Sequence, residues 1–152
     1  MTMGCKGDLA RQYFLSGANC TQAVFAAFHQ ECGLDEKTAF RMASGFGAGV
    51  ARLREVCGAV SGMVLVMNML AGPDDISDKK AKDAHYARVR KPLERFQAQN
   101  GSIVCRVLLG LEKGENASAV SEERTAEYYK KRPCADLVAM AADIVAEELE
   151  LS

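Results

Sequence analysis

Four of the six cysteines in this chain, Cys20, Cys57, Cys105 and Cys134, fall at or near the predicted start of a helix. The backbone dipoles there favour a thiolate over a thiol, and the thiolate is both the nucleophile of disulfide exchange and the ligand of soft metals. Two chemistries follow. In one, a thiolate attacks an oxidant or a partner disulfide and a second cysteine resolves the mixed species, as in a thiol-dependent oxidoreductase. In the other, Cys20, Cys57, Cys105 and Cys134 together hold zinc or an iron–sulfur cluster in a non-enzymatic binding module. Cys57 is the expected attacking thiol, because Gly45, Gly47 and Gly49 before it can leave its backbone and sulfur accessible. No C-x-x-C occurs, so a resolving cysteine must come from a distant part of the chain, and the close pairs of a zinc ribbon are missing. A helical bundle can still bring distant ligands together. Each cysteine taken singly also fits a small buried hydrophobe.

The other reactive residue types carry less. Cys32 falls at a helix carboxyl end beside Gly33, where the dipole disfavours a thiolate, and reads as structural. Cys5 lies in the amino-terminal segment and is assigned no role. His29 and Cys32 share a helical face, which core packing explains more simply than joint coordination. The glycines from Gly45 to Gly49 follow a predicted helix rather than a strand and lack the Gly-Lys-Ser/Thr ending of a phosphate loop, so close helix packing or access to Cys57 is the better account. Met63 and Met67 are spaced as ordinary core residues. No H-E-x-x-H or supported Ser-His-Asp arrangement gives a hydrolase a foothold, and without C-x-x-C-H no covalent heme is expected.

Helical periodicity recurs along the chain and strand alternation does not. A first helix is expected from about Gly7 to Leu15, closing at Gly17, and a second from the cap Asn19, with Gln22 as capping-box partner, to Gly33. A third runs from Asp35 to about Ala43. A long apolar helix from about Glu55 to Leu70 stops at Gly72-Pro73. Asp78 caps a charged helix reaching about Gln99, which Pro92 should kink or divide. A short turn capped by Ser102 carries Cys105, a helix spans about Glu122 to Lys131, and Pro133 opens the last helix with Cys134 in its first turn. The expected architecture is all-α: one domain over residues 1–152, a helical bundle of six or seven helices around the buried central helix from Glu55 to Leu70.

Composition limits the partners. The chain has 152 residues, 49% of them hydrophobic, and 19 basic against 20 acidic side chains leave a net charge of -1. No global field recruits nucleic acid or an anionic membrane, and the basic run Lys79, Lys80, Lys82, Arg88, Arg90, Lys91 and Arg95 reads as a solvated face that also carries His85. The uncharged stretch from Val56 to Pro73 is interrupted by Gly58, Ser61, Gly62 and Asn68 and suits a buried helix better than a membrane span. No secretory signal is visible at the amino terminus, so a cytoplasmic protein with reduced or transiently oxidised thiols is expected. The partner is expected to be a redox protein or a small molecule, with no nucleic acid and no membrane. The apolar helix from Glu55 also suggests a homo-oligomer.

The segments Asn19-Cys20-Thr21-Gln22-Ala23, Cys57-Gly58-Ala59-Val60-Ser61-Gly62 and Cys105-Arg106-Val107-Leu108-Leu109-Gly110, with the last Cys134, resemble the C_GCAxxG_C_C family of redox-active proteins. The likeness runs from about Ala18 to Val145. Carried over by position, the family's cysteines fall on Cys20, Cys57, Cys105 and Cys134, and Ala59 and Gly62 match its Ala-x-x-Gly. Here Val56 precedes the central Cys57 and Gly58 follows it, whereas the family's name puts glycine before that cysteine. The resemblance implies a helical domain whose shared cysteines do redox or metal-related work, and it leaves the choice between dithiol and metal open.

Overall fold

A computed structural model describes residues 4–151. It is all-helical, with eight helices and no strand among the described residues: α1 (Cys5–Leu15), α2 (Cys20–Ala26), α3 (Glu36–Ala43), α4 (Gly58–Ala71), α5 (Lys79–Asn100), α6 (Cys105–Leu108), α7 (Ala126–Lys131) and α8 (Cys134–Glu148). The expectation of six or seven helices is thus corrected to eight. The short apolar turn around Cys105 is a helix of its own, and the segment before Lys131 is helical only from Ala126.

Local chemistry explains most of the boundaries. Asn19 accepts from the Gln22 amide while the Gln22 side chain accepts from the Asn19 amide, the reciprocal capping box that starts α2. Asp35, Asp78 and Thr125 cap α3, α5 and α7 from one side only, each side chain accepting from a first-turn amide. After Ala26 the chain tightens into turns instead of continuing as helix to Gly33. The Leu34 amide then reaches the His29 carbonyl at 2.9 Å across Gly33, whose φ of 71° closes the turn. Pro92 does not divide α5. The carbonyl it cannot serve, four residues back at Arg88, belongs to an exposed residue that water can satisfy.

The core is built from Phe14, Phe25, Phe28, Phe96, Met63 and Met67, all buried, so the two methionines are packing residues as their spacing predicts. The centre of the fold differs from the expected one. α4 begins at Gly58 rather than near Glu55 and buries one face, leaving Asn68 and Met69 exposed. α8 packs against α1, α2, α4 and α5, and its middle is buried from Leu137 to Ala139 and again from Ile144 to Ala146. No helix among the described residues is long and apolar enough to cross a membrane. His29 Nδ1 lies 2.9 Å from the Leu34 carbonyl oxygen, a structural contact rather than a shared ligand site with Cys32.

Candidate functional site

Each of the four cysteines stands at a helix start. Cys20, Cys105 and Cys134 are the first residues of α2, α6 and α8, and Cys57 is the residue that caps α4. What brings them together is a set of close backbone approaches. Gly58 and Gly62 lie one turn apart on the face of α4 that meets α2. A Cβ on Gly58 would stand 2.8 Å from Thr21 Oγ1 and 3.0 Å from the Cys20 Cβ, and one on Gly62 would stand 2.7 Å from the Val24 Cβ. Only glycine permits that separation. The buried Thr21 hydroxyl donates to the Gly58 carbonyl at 2.8 Å and fixes the register, which sets Cys57 beside Cys20. Cys57 and Cys105 are joined differently, through an isolated antiparallel bridge between Val56 and Val104. The Cys57 amide donates to the Ile103 carbonyl at 2.8 Å and the Cys105 amide to the Glu55 carbonyl at 2.6 Å. α8, packed on both α2 and α4, brings Cys134 to Cys20.

All four cysteines line one cavity of about 60 Å³. Cys20 and Cys134 lie close enough for each to shift the other's ionisation, and both residues are partly exposed, whereas Cys57 and Cys105 are 5% and 7% exposed. Arg54, Arg124 and Arg132 share the wall, and no carboxylate does. Arg54 donates through Nη1 to Cys105 Sγ at 3.8 Å and through Nε to the Asn116 carbonyl at 3.1 Å. Arg124 lies over the Phe14 ring, 4.4 Å from its centroid, and donates to the Phe14 and Ala18 carbonyls at 3.1 Å each. Arg132 reaches both Glu122 oxygens, at 2.9 and 3.0 Å.

Sequence reasoning missed these three arginines because their spacing has no motif. The only local signal was Arg52-x-Arg54 directly after the glycine stretch. That stretch is neither a phosphate loop nor a simple spacer. Ala48, Gly49, Val50, Ala51 and Arg52 all take positive φ, between 48° and 75°, and Arg54 follows at 62°. A left-handed conformation costs a non-glycine residue about 1–2 kcal/mol. The segment is held by contacts at the far ends of two buried side chains. Arg52 donates to the Ser118 and Val120 carbonyls and faces Glu122 at 3.8 Å, while Arg54 reaches Asn116 and Cys105. Gly49 is required there, since a Cβ would lie 2.6 Å from the Arg54 Cα.

Burial is the leading influence on two of the four thiols, Cys57 and Cys105. Cys57 is pushed up to about 12 by desolvation, with the nearby Val60 and Ala59 amides of α4 opposing. Cys105 is also raised by burial, with Arg54 opposing. Cys20 is raised well above the ordinary thiol value, first by its interaction with Cys134 and then by burial. Cys134 alone is lowered, by that interaction and by the guanidiniums of Arg132, Arg124 and Arg54, against the cost of burial. The expectation that all four helix starts lower the thiol pKa is therefore corrected: three are raised, Cys57 and Cys105 chiefly by desolvation and Cys20 chiefly by its interaction with Cys134. Among the described residues no group of three or more His, Cys, Asp and Glu side chains is arranged to hold a metal ion. As they stand, the four sulfurs do not fit a zinc or iron–sulfur site. Cys32, pushed up to about 11 by burial, and the exposed Cys5 at the start of α1 lie outside this cavity.

An all-α fold that converges four helix-start cysteines on one cavity defines a cysteine-cluster protein. The chain belongs to the family described as putative redox-active protein (C_GCAxxG_C_C), whose model matches residues 18–148. No curated protein and no solved structure matches it.

Proposed function

We propose that the protein is a dithiol redox centre that cycles between two thiols and a Cys20–Cys134 disulfide. The observation that carries this reading is the Cys20–Cys134 pair, side by side on one cavity wall, partly exposed and faced by three guanidiniums. Cys134, rather than Cys57, is the attacking thiolate, because it alone of the four has its pKa lowered, and the residue is partly exposed. Its sulfur attacks a two-electron oxidant and forms a covalent adduct. Cys20 then gives up its proton and attacks Cys134 Sγ, so the disulfide forms as the reduced product leaves. Two electrons and the one proton of Cys20 pass from the thiolate–thiol pair, and an external thiol reductant restores it. Cys57 and Cys105, buried against the pair, act as its protonated surroundings.

Oxidation of the reduced protein with diamide, followed by alkylation and peptide mass spectrometry, tests the pairing. A Cys20–Cys134 linkage is expected, lost in Cys134→Ser. In Cys20→Ser, challenge with a small aromatic disulfide should leave the mixed disulfide trapped on Cys134. A linkage between other cysteines, or none, overturns the reading. Stoichiometric zinc or iron in protein purified without oxygen, with all four thiols shielded from alkylation, would favour the metal module instead.

A further inference from the structure

We propose that the oxidant of this dithiol is a small oxyanion, bound in the cavity and reduced by two electrons with loss of one oxygen as water. The inference rests on the dithiol reading above and names its substrate class.

Three features of the cavity carry it. The first is charge. Arg54, Arg124 and Arg132 line the wall with no carboxylate among the lining residues, although the chain as a whole has a net charge of -1. Glu122, which does not line the cavity, is hydrogen-bonded to Arg132 and lies 3.8 Å from Arg52. A small anion is thus drawn to one place on a protein whose overall charge would not attract it. The second is size. A cavity of about 60 Å³ holds a molecule of a few non-hydrogen atoms, not a peptide or a tripeptide thiol. The third is free hydrogen-bonding capacity. Nη2 of Arg54 and Nη1 of Arg132 make no hydrogen bond to the described residues, so both guanidiniums keep donors for a ligand.

The thiols supply the chemistry at the same spot. With arsenate as the probe, the Cys134 thiolate forms a sulfur–arsenic bond while one arsenic–oxygen bond breaks. That oxygen leaves as water with the proton given up by Cys20. The Cys20 thiolate then attacks Cys134 Sγ, and the sulfur–arsenic bond breaks with its electron pair remaining on arsenic. Arsenic falls from the pentavalent to the trivalent state, the two cysteines become one disulfide, and the arsenite released takes its protons from solvent. The guanidiniums stabilise the negative charge that grows on the departing group.

The test uses the reduced full chain, without oxygen or added thiol, and measures arsenite together with the Cys20–Cys134 disulfide. Equal amounts of the two are expected, formed more slowly as phosphate, which has the same shape but is not reduced by thiols, is added. Arg132→Gln should slow arsenite formation by about tenfold to a hundredfold, the loss expected for one charge-assisted hydrogen bond. Phosphate competition on the unaltered chain keeps the test independent of whether that variant folds. Diamide, which is uncharged, provides the separating arm. A disulfide formed with diamide but no arsenite from arsenate overturns the oxyanion and leaves the dithiol standing. No Cys20–Cys134 disulfide with either oxidant overturns both.

Discussion

Cys57 and Cys134 both sit at helix starts, yet they are opposite in character. Cys57 has the Val60 and Ala59 amides nearby and is still held as a thiol, because desolvation of a nearly enclosed sulfur outweighs them. Cys134 has the Cys20 thiol and three guanidiniums around it and is lowered. Iodoacetamide labelling at neutral pH, read by peptide mass spectrometry, should therefore modify Cys134 first among the four. Its rate should persist as pH falls below the usual thiol range and decline only through the lowered pKa. Cys57 predicts an alkaline effect of the other sign. The thiol is protonated in both folded and unfolded chains below its ordinary value of 9.0, and between there and about 12 only the unfolded chain ionises. Its contribution to stability is thus intact below pH 9.0 and lost as pH rises toward 12, by up to about 1.4 kcal/mol per pH unit. Urea midpoints measured across that window should fall, and less steeply in Cys57→Ala.

The elements that bring these sulfurs together depend on small residues at contacts. Gly62→Ala would gain about 1 kcal/mol of helix propensity. It would also press a methyl group 2.7 Å from the Val24 Cβ and 3.2 Å from the Thr21 carbonyl oxygen, neither at the end of a flexible chain. The overpacking wins, and a net loss of about 1–3 kcal/mol is expected by urea denaturation. α4 should also back away from α2, which widens the Cys20–Cys57 contact more than the Cys20–Cys134 one. The left-handed segment before α4 is the second such device. Gly49→Ala combines a φ of 75° with a Cβ 2.6 Å from backbone. It should release Arg54 from Cys105, detectable as faster alkylation of Cys105 in folded protein. The strain in this segment and the two buried arginines belong together, since the arginine contacts to residues 116–122 are what hold the backbone there.

At the scale of the molecule, residues 20 and 134 come from opposite ends of the chain and meet because α8 packs on α1, α2 and α4. Asp143 of α8 accepts from the Gly4 and Gly7 amides at 3.1 and 2.8 Å and so caps α1 from across the fold. A disulfide between Cys20 and Cys134 would close nearly the whole helical array. Its formation should stabilise the protein by about 2–4 kcal/mol, measured as the shift in urea midpoint between reduced and oxidised chains. An unchanged or lower midpoint would mean that the pair cannot bond without distorting α2 or α8. The apolar face of α4 that suggested a partner copy is covered within the chain by α2, α8 and α5.

Much of this protein was legible in its residues taken in order. The all-α class, the capping box at Asn19, the stop after Ala71 and the position of the four cysteines at helix starts all depend on interactions within a few residues, which a linear reading can see. Pro92 is expected from the sequence to kink or divide its helix, and α5 is not divided there, since the carbonyl left without a partner is exposed. The tertiary structure alone decided which sulfur ionises. That depends on how much water each thiol loses and which guanidiniums stand beside it, and Arg54, Arg124 and Arg132 reach Cys134 only through the left-handed segment and the packing of α8. Helix starts are written in local sequence; the electrostatics of a shared cavity arise only when distant residues meet.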